Sequence, residues 1–279
     1  MKKAISIWSF VDQDSKKCIK LAKEAGFEGI ELALTETGEL GLDCTEDSLK
    51  EIKAFADEKQ IAIHSVATGL FWDYSFTSND EKEREKAYTV AVRLLHVAKA
   101  LGADSVLIVP GAVGVDFIPN REAIRYDIAY DRVLEAFKDL KTVAEELEVH
   151  IGIENVWNKF LVSPLEMRDF IDKIDSPFVG SYFDVGNVLV NGYPEHWIEI
   201  LGKRIKKVHF KDYRREAGGL CGFVDLLSGD VNWPAVTKAF NNIGYDGWCT
   251  AEMLPPYTHY ADQILFNTSA SMDRILAQK

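Results

Sequence analysis

The chain alternates between two hydrophobic patterns along its whole length. Short apolar runs rich in β-branched residues predict strands: "AISIWSF", "FEGIELAL", "IAIHSVAT", "ADSVLIVPG", "VHIGIENV", "FVGSYFDVGN", "IKKVHFKD" and "YDGWCTAEML". Between them, apolar positions recur every three or four residues and predict helices. "DSKKCIKLAKEAG" starts at an Asp14 or Ser15 cap and stops at Gly26. "TEDSLKEIKAFADEKQ" puts Leu49, Ile52, Phe55 and Ala56 on one face. A long helix over 79–102 carries Ala87, Ala91, Leu94, Leu95, Ala98 and Leu101, and a second spans 121–148. "SPLEMRDFIDKI" opens with Pro164; a short helix falls near "PEHWIEIL", and "NWPAVTKAFNNIG" and "YADQILFNTSASMDRIL" supply the last two.

Strands that alternate with helices pair in parallel through right-handed crossovers. Eight such units, with no Gly-rich phosphate loop after the first strand, predict an α/β fold of the (β/α)8 TIM barrel type, a single domain over residues 1–279. A doubly wound open sheet is the competing arrangement. The irregular stretches 67–79, 111–120 and 212–231 follow strands, so in a barrel they lie on the face that carries active sites.

Alternation along strands then places chemistry. Glu154, Asp184, His209 and Glu252 each fall near the C-terminal end of one of the last four strands, opposite apolar neighbours that suit the helical shell. They are 30, 25 and 43 residues apart, about one strand–helix unit each time. Three carboxylates converging on the barrel axis would repel one another. A divalent cation removes that conflict, and carboxylates with one imidazole suit Mn²⁺, Mg²⁺, Co²⁺ or Zn²⁺.

Charge and composition narrow the partners. With 32 Lys and Arg against 44 Asp and Glu, the net charge of −12 argues against a nucleic-acid partner. A small anionic substrate remains compatible, because it needs only a local cluster of cations. Cys18, Cys44, Cys221 and Cys249 are widely spread without a CxxC pair, which points to reduced thiols and a cytoplasmic protein. The N-terminal "MKKAISIWSF" lacks the long apolar core of a signal peptide, and no apolar run reaches the ~18 residues of a membrane span.

"IGIENVWN", "SYFDVGN", "KKVHFKDY" and "CTAEM", with "GIELAL" and "GDVNWPAV", resemble motifs of the xylose-isomerase-like barrel superfamily. The chain is similar to its sugar isomerase and epimerase branch, which includes D-tagatose 3-epimerase, L-ribulose- and L-xylulose-5-phosphate 3-epimerases and hydroxypyruvate isomerase. The resemblance implies a metal-dependent isomerase of carbohydrate metabolism. Glu154, Asp184, His209 and Glu252 would hold the ion, and Glu154 and Glu252 would pass a proton through an enediolate. Reprotonation of the same carbon gives an epimer; reprotonation of its neighbour gives an aldose. Homodimers and homotetramers are common among such relatives.

The resemblance carries Arg215 over as a substrate-binding residue. Asn187 is a further candidate substrate contact, standing where free-sugar epimerases carry a His; Phe160 stands where they carry a Glu. Lys211, Arg214 and Arg215 form a basic cluster suited to a phosphate, so a sugar or a sugar phosphate is the expected substrate. His64, read as ending the third strand, is expected to touch substrate or orient a ligand. Glu31, read as ending the second, is expected to hold a substrate hydroxyl or balance a lysine. Trp8, Phe71 and Trp72 are candidates for a water-excluding wall. His96, His196 and His259 are assigned no chemistry. A lyase of the same superfamily, such as inosose dehydratase, is the main alternative, followed by a non-catalytic sugar-binding barrel. An endonuclease acting at abasic DNA is disfavoured by the negative charge and the few histidines.

Overall fold

The computed structural model describes residues 1–277, and they close into the expected barrel. Its strands are β1 (Lys2–Ser6), β2 (Gly29–Leu34), β3 (Ala62–Thr68), β4 (Ser105–Ile108), β5 (His150–Glu154), β6 (Val179–Asp184), β7 (Ile205–Phe210) and β10 (Trp248–Ala251). Each pairs in parallel with its neighbours in chain order, and β1 closes the ring against β10. Helices α1 (Ser15–Glu24), α2 (Glu46–Lys59), α3 (Glu81–Leu101), α4 (Tyr126–Leu147), α5 (Pro164–Ile174), α6 (Pro194–Leu201), α7 (Trp233–Asn242) and α8 (Gln263–Leu276) form the outer layer. Their starts follow the local chemistry. Asp14, Thr45, Asp80, Ser163 and Asn232 each accept a hydrogen bond from a first-turn amide, satisfying a donor the helix itself leaves free.

The main core lies between barrel and helices. Ile151, Ile153, Val208 and Phe210 point outward into it and are fully buried. Phe137 joins Phe76 to Phe170 edge-on, at 5.5 and 6.4 Å between ring centroids, tying α4 to its neighbours. The barrel interior is polar by contrast: Glu31, His64, Ser65, Tyr182, His209 and Thr250 are all buried there.

Element limits differ from the sequence expectation in three places. The first strand stops at Ser6, and Ile7–Ser9 turn into a 3-10 helix. The helix expected over 121–148 starts at Tyr126. The stretch 212–231 holds a small antiparallel hairpin of β8 (Asp212–Tyr213) and β9 (Phe223–Val224). Two-residue strands leave no periodic trace. What fixes this loop is one buried carboxylate: Asp212 accepts from the amides of Tyr213 (2.9 Å), Leu227 (2.9 Å) and Val231 (3.2 Å) and from Trp233 Nε1 (3.0 Å). Among the described residues, no helix is long and apolar enough to cross a membrane.

Candidate metal centre

Register brings the four strand-end residues to one height. Asp184 pairs directly with His209, and His209 with Thr250, two residues before Glu252. The Glu252 amide continues the ladder by donating to Phe210 O at 3.1 Å. Glu154 pairs with Tyr182, two residues before Asp184. One ligand atom from each of Glu154, Asp184, His209 and Glu252 then lies within 4.8 Å of every other. From His209 Nδ1 it is 3.8 Å to Glu154 Oε1, 3.8 Å to Asp184 Oδ2 and 3.5 Å to Glu252 Oε2. Asp184 Oδ2, Glu252 Oε2 and His209 Nδ1 are buried and make no hydrogen bond. Buried polar atoms are almost always partnered. Three such atoms aimed at one point, the two oxygens faced by the Lys211 ammonium and the imidazole nitrogen by the carboxylates, fit a divalent ion of the type that prefers oxygen and imidazole donors.

The imidazole is aimed from below. His209 Nε2 lies 2.9 Å from Glu31 Oε1, which turns Nδ1 towards the carboxylates. Glu31 is itself fixed by Tyr182 OH (2.5 Å) and Ser65 Oγ (3.0 Å), both donating to Oε2. Glu31 therefore does not end its strand. It sits mid-way along β2, fully buried, under His209 rather than at a substrate. His64 is likewise displaced: it is the third residue of β3, which runs on to Thr68. Its ring stacks on Trp248, and Nε2 meets Thr250 Oγ1 at 3.1 Å, one layer beneath the centre.

Asp184 is positioned by two asparagines. Asn155 and Asp184 exchange bonds: Asn155 Nδ2 donates to Asp184 O, and Asp184 N donates to Asn155 Oδ1, both at 2.9 Å. Asn187 N donates to Asp184 Oδ1 at 2.8 Å, and Asn187 Nδ2 to Asn155 O at 3.0 Å. Asn187 thus braces Asp184 and also lines the cavity above it. Asn155 carried no expectation. Its signal was available, as an amide side chain directly after one strand-end carboxylate and beside a second.

Lys211 leaves the expected basic cluster and enters the centre. Its ammonium lies 3.3 Å from Asp184 Oδ2 and pairs with Glu252 Oε2. The loop after β6 packs tightly on it: a Cβ at Gly186 would stand 2.5 Å from Lys211 Cβ, so only glycine fits. Arg214 and Arg215 turn away. Arg214 NH2 donates to Ser228 O at 2.6 Å. Arg215 donates to Leu189 O (3.0 Å) and Gly192 O (3.2 Å), stapling the loop after β6. The three cations do not converge on a phosphate-sized site.

The electrostatics differ among the acids. Burial pushes Glu154 up to about 7, against the pull of His209 and Lys211. Burial also raises Asp184. At Glu252 burial acts upward too, but Lys211 and His209 outweigh it and hold the carboxyl at about 2. Burial opposes protonation of His209, yet Glu31 and Glu252 raise it well above the ordinary imidazole value.

Above the carboxylates opens a cavity of about 680 Å³, floored by Glu154, Asn187, Lys211 and Glu252. Trp8 and Trp72 line it as expected; Phe71 does not, packing on Phe76 instead at 5.4 Å between centroids.

Residues 19–269 match the family model described as xylose isomerase-like TIM barrel. A proposed L-ribulose-5-phosphate 3-epimerase of Escherichia coli (strain K12) is 25% identical over 240 residues, covering 84% of this chain and 81% of that protein. An inosose dehydratase of Lacticaseibacillus casei is 24% identical over 263 residues, 84% of each. Among solved structures, a D-psicose 3-epimerase from Clostridium cellulolyticum with D-tagatose shares the fold, with a TM-score of 0.82 at 19% identity over 99% of each chain.

Proposed function

The chain belongs to the xylose isomerase-like TIM barrel family, and from that premise we propose that it is a metal-dependent sugar epimerase or isomerase. The observation that carries this reading is the set of four ligand atoms within 4.8 Å of one another, three of them buried without a hydrogen bond. Glu154, Asp184, His209 and Glu252 would hold a divalent ion, which when bound supplies Lewis-acid polarisation of a substrate carbonyl and adjacent hydroxyl.

The protein's own groups then move the proton. Glu154 and Glu252 rise from β5 and from the end of β10, on two sides of the cavity floor. One carboxylate removes the proton next to the carbonyl, and the other returns a proton to the intermediate. Glu31 keeps His209 in its tautomer and orientation. Asn155 holds the Asp184 backbone, and the Asn187 amide holds its carboxylate by Oδ1. Trp8 and Trp72 exclude water above. The names of several similar proteins, including a fructoselysine 3-epimerase of Escherichia coli O157:H7, support a ketose-like substrate.

The test is incubation of Mn²⁺-loaded protein with ketopentoses, ketohexoses and their phosphates in D₂O. Deuterium at C3 or C1 is expected with at least one; none with any would refute the reading. A dehydratase is the second reading. It is favoured by the Lys211 ammonium against Glu252, a cation placed where a departing hydroxyl would need one. An enone absorbance on incubation with a cyclic polyol ketone, without deuterium exchange into ketoses, would select it.

A further inference from the structure

The space over the carboxylates is larger and more apolar than a free sugar needs. A second cavity, of about 510 Å³, adjoins the first, and Phe117, Val156, Trp157, Asn187 and Leu220 line both. Either volume alone lies in the ~300–1,000 Å³ range of small-molecule pockets, so together they take a molecule of two parts. The shared wall is aromatic. Trp157 stacks on Phe223 at 5.0 Å, and Trp72 meets Phe117 edge-on at 5.2 Å. The rim is apolar as well: Leu220 is 51% exposed, Leu254 41% and Phe117 36%. Large apolar side chains left in water around a cavity mouth mark a surface that something apolar covers.

Charge excludes the other occupant. Among the described residues, Lys211 and Lys159 are the only cations lining the two cavities. Lys211 is held by Asp184 and Glu252, and Lys159 Nζ is held by Asp116 at 2.6 Å. Arg215, expected to meet substrate, is tied to backbone carbonyls outside both. A phosphate entering either cavity would face no uncommitted cation there, and in the first would stand near three carboxylates.

We propose that the substrate is an α-hydroxy-ketone sugar carrying a bulky, uncharged, apolar substituent. The sugar sits on the carboxylate floor and the substituent lies in the lobe walled by Phe117, Trp157 and Leu220. This deepens the reading of the site as a metal-dependent sugar epimerase or isomerase and rests on it.

The probes are D-fructose, D-fructose 6-phosphate, and the D-fructose derivative with a para-tolylamino group in place of its C1 hydroxyl. Each is titrated into Mn²⁺-loaded protein by tryptophan fluorescence, and deuterium at C3 is followed in parallel. The aryl ketose is expected to bind at least about tenfold more tightly than D-fructose, and the phosphate no more tightly than D-fructose. Leu220→Asp, at a half-exposed position, should bring the aryl preference to within about threefold of unity, whereas Leu220→Met should keep it. Equal affinity for aryl ketose and D-fructose, no measurable binding of the aryl ketose, or tighter binding of the phosphate would each overturn the proposal. Exchange into D-fructose without an aryl preference would end the apolar subsite and leave the epimerase reading standing. An aryl preference that Leu220→Asp removes, with no exchange into any sugar, would do the reverse.

Discussion

Glu31 Oε1 lies 2.9 Å from His209 Nε2, with both side chains wholly out of solvent. Through this contact a carboxylate below the cavity floor sets the aim of the imidazole that faces Glu154, Asp184 and Glu252. Removing such an outer partner typically costs about 10–100-fold in metal affinity. Glu31→Gln keeps the volume and an amide able to meet the ring, but loses the charge. Its Mn²⁺ affinity should fall about tenfold by calorimetry. His209→Ala should fall further, because a ligand is lost outright.

Glu154→Gln should lower turnover by roughly 10²–10⁴-fold while leaving the melting temperature within a few degrees of wild type. The amide retains an oxygen for an ion and the shape of the acid, but it cannot take a proton. Deuterium exchange into substrate reads the first effect and a thermal melt the second. Full activity in this variant would remove Glu154 from the proton-transfer role.

Metal affinity should rise with pH. Glu154 is raised from 4.5 to about 7 in the metal-free protein, so between those values the folded state binds more protons than the unfolded one. The Glu154 contribution to the stability of the metal-free protein is therefore lost as pH rises through that window. A cation must displace that proton and the one held by the raised His209 imidazole, so its affinity climbs with pH through about 7 and beyond. Melts with and without Mn²⁺ at pH 5.5 and 8 should show the larger metal-induced shift at pH 8. An equal shift at both would contradict the raised Glu154.

Gly186→Ala should destabilise the fold. A methyl group there stands 2.5 Å from Lys211 Cβ and 3.0 Å from its carbonyl carbon, so the loop or the lysine must move. Overpacking of this kind costs about 1–3 kcal/mol. The denaturation midpoint reads that cost. Arg215→Ala, by contrast, loosens the loop after β6 without changing Mn²⁺ affinity, because Arg215 there meets backbone carbonyls and the Tyr193 ring rather than the carboxylates.

The strand–helix alternation and the convergence of Glu154, Asp184, His209 and Glu252 were legible because each rests on a local rule. Side chains two apart share a strand face, and a carboxylate buried at a strand end needs a cation. Height along the barrel axis was not legible. Glu31 and His64 were placed on the correct inner face but too near the top, because β2 and β3 run three and four residues beyond them. Barrel strands are staggered, and the register also slips between Ile30 and Glu31 and between Ser181 and Tyr182. Alternation carries no record of either. The path of Lys211 and Arg215 was hidden for a different reason. Spacing from His209 fixes neither side chain once the hairpin around Asp212 sets the loop, with Asp230 accepting from Arg215 N at 2.8 Å.

The most direct measurement is the metal content of purified protein stripped with chelator, reloaded with Mn²⁺ and desalted. Wild type should retain one equivalent per chain, and Asp184→Asn combined with His209→Ala should retain none while keeping its circular dichroism. Equal metal content in both proteins, or none in either, would contradict a cation centre built from Glu154, Asp184, His209 and Glu252.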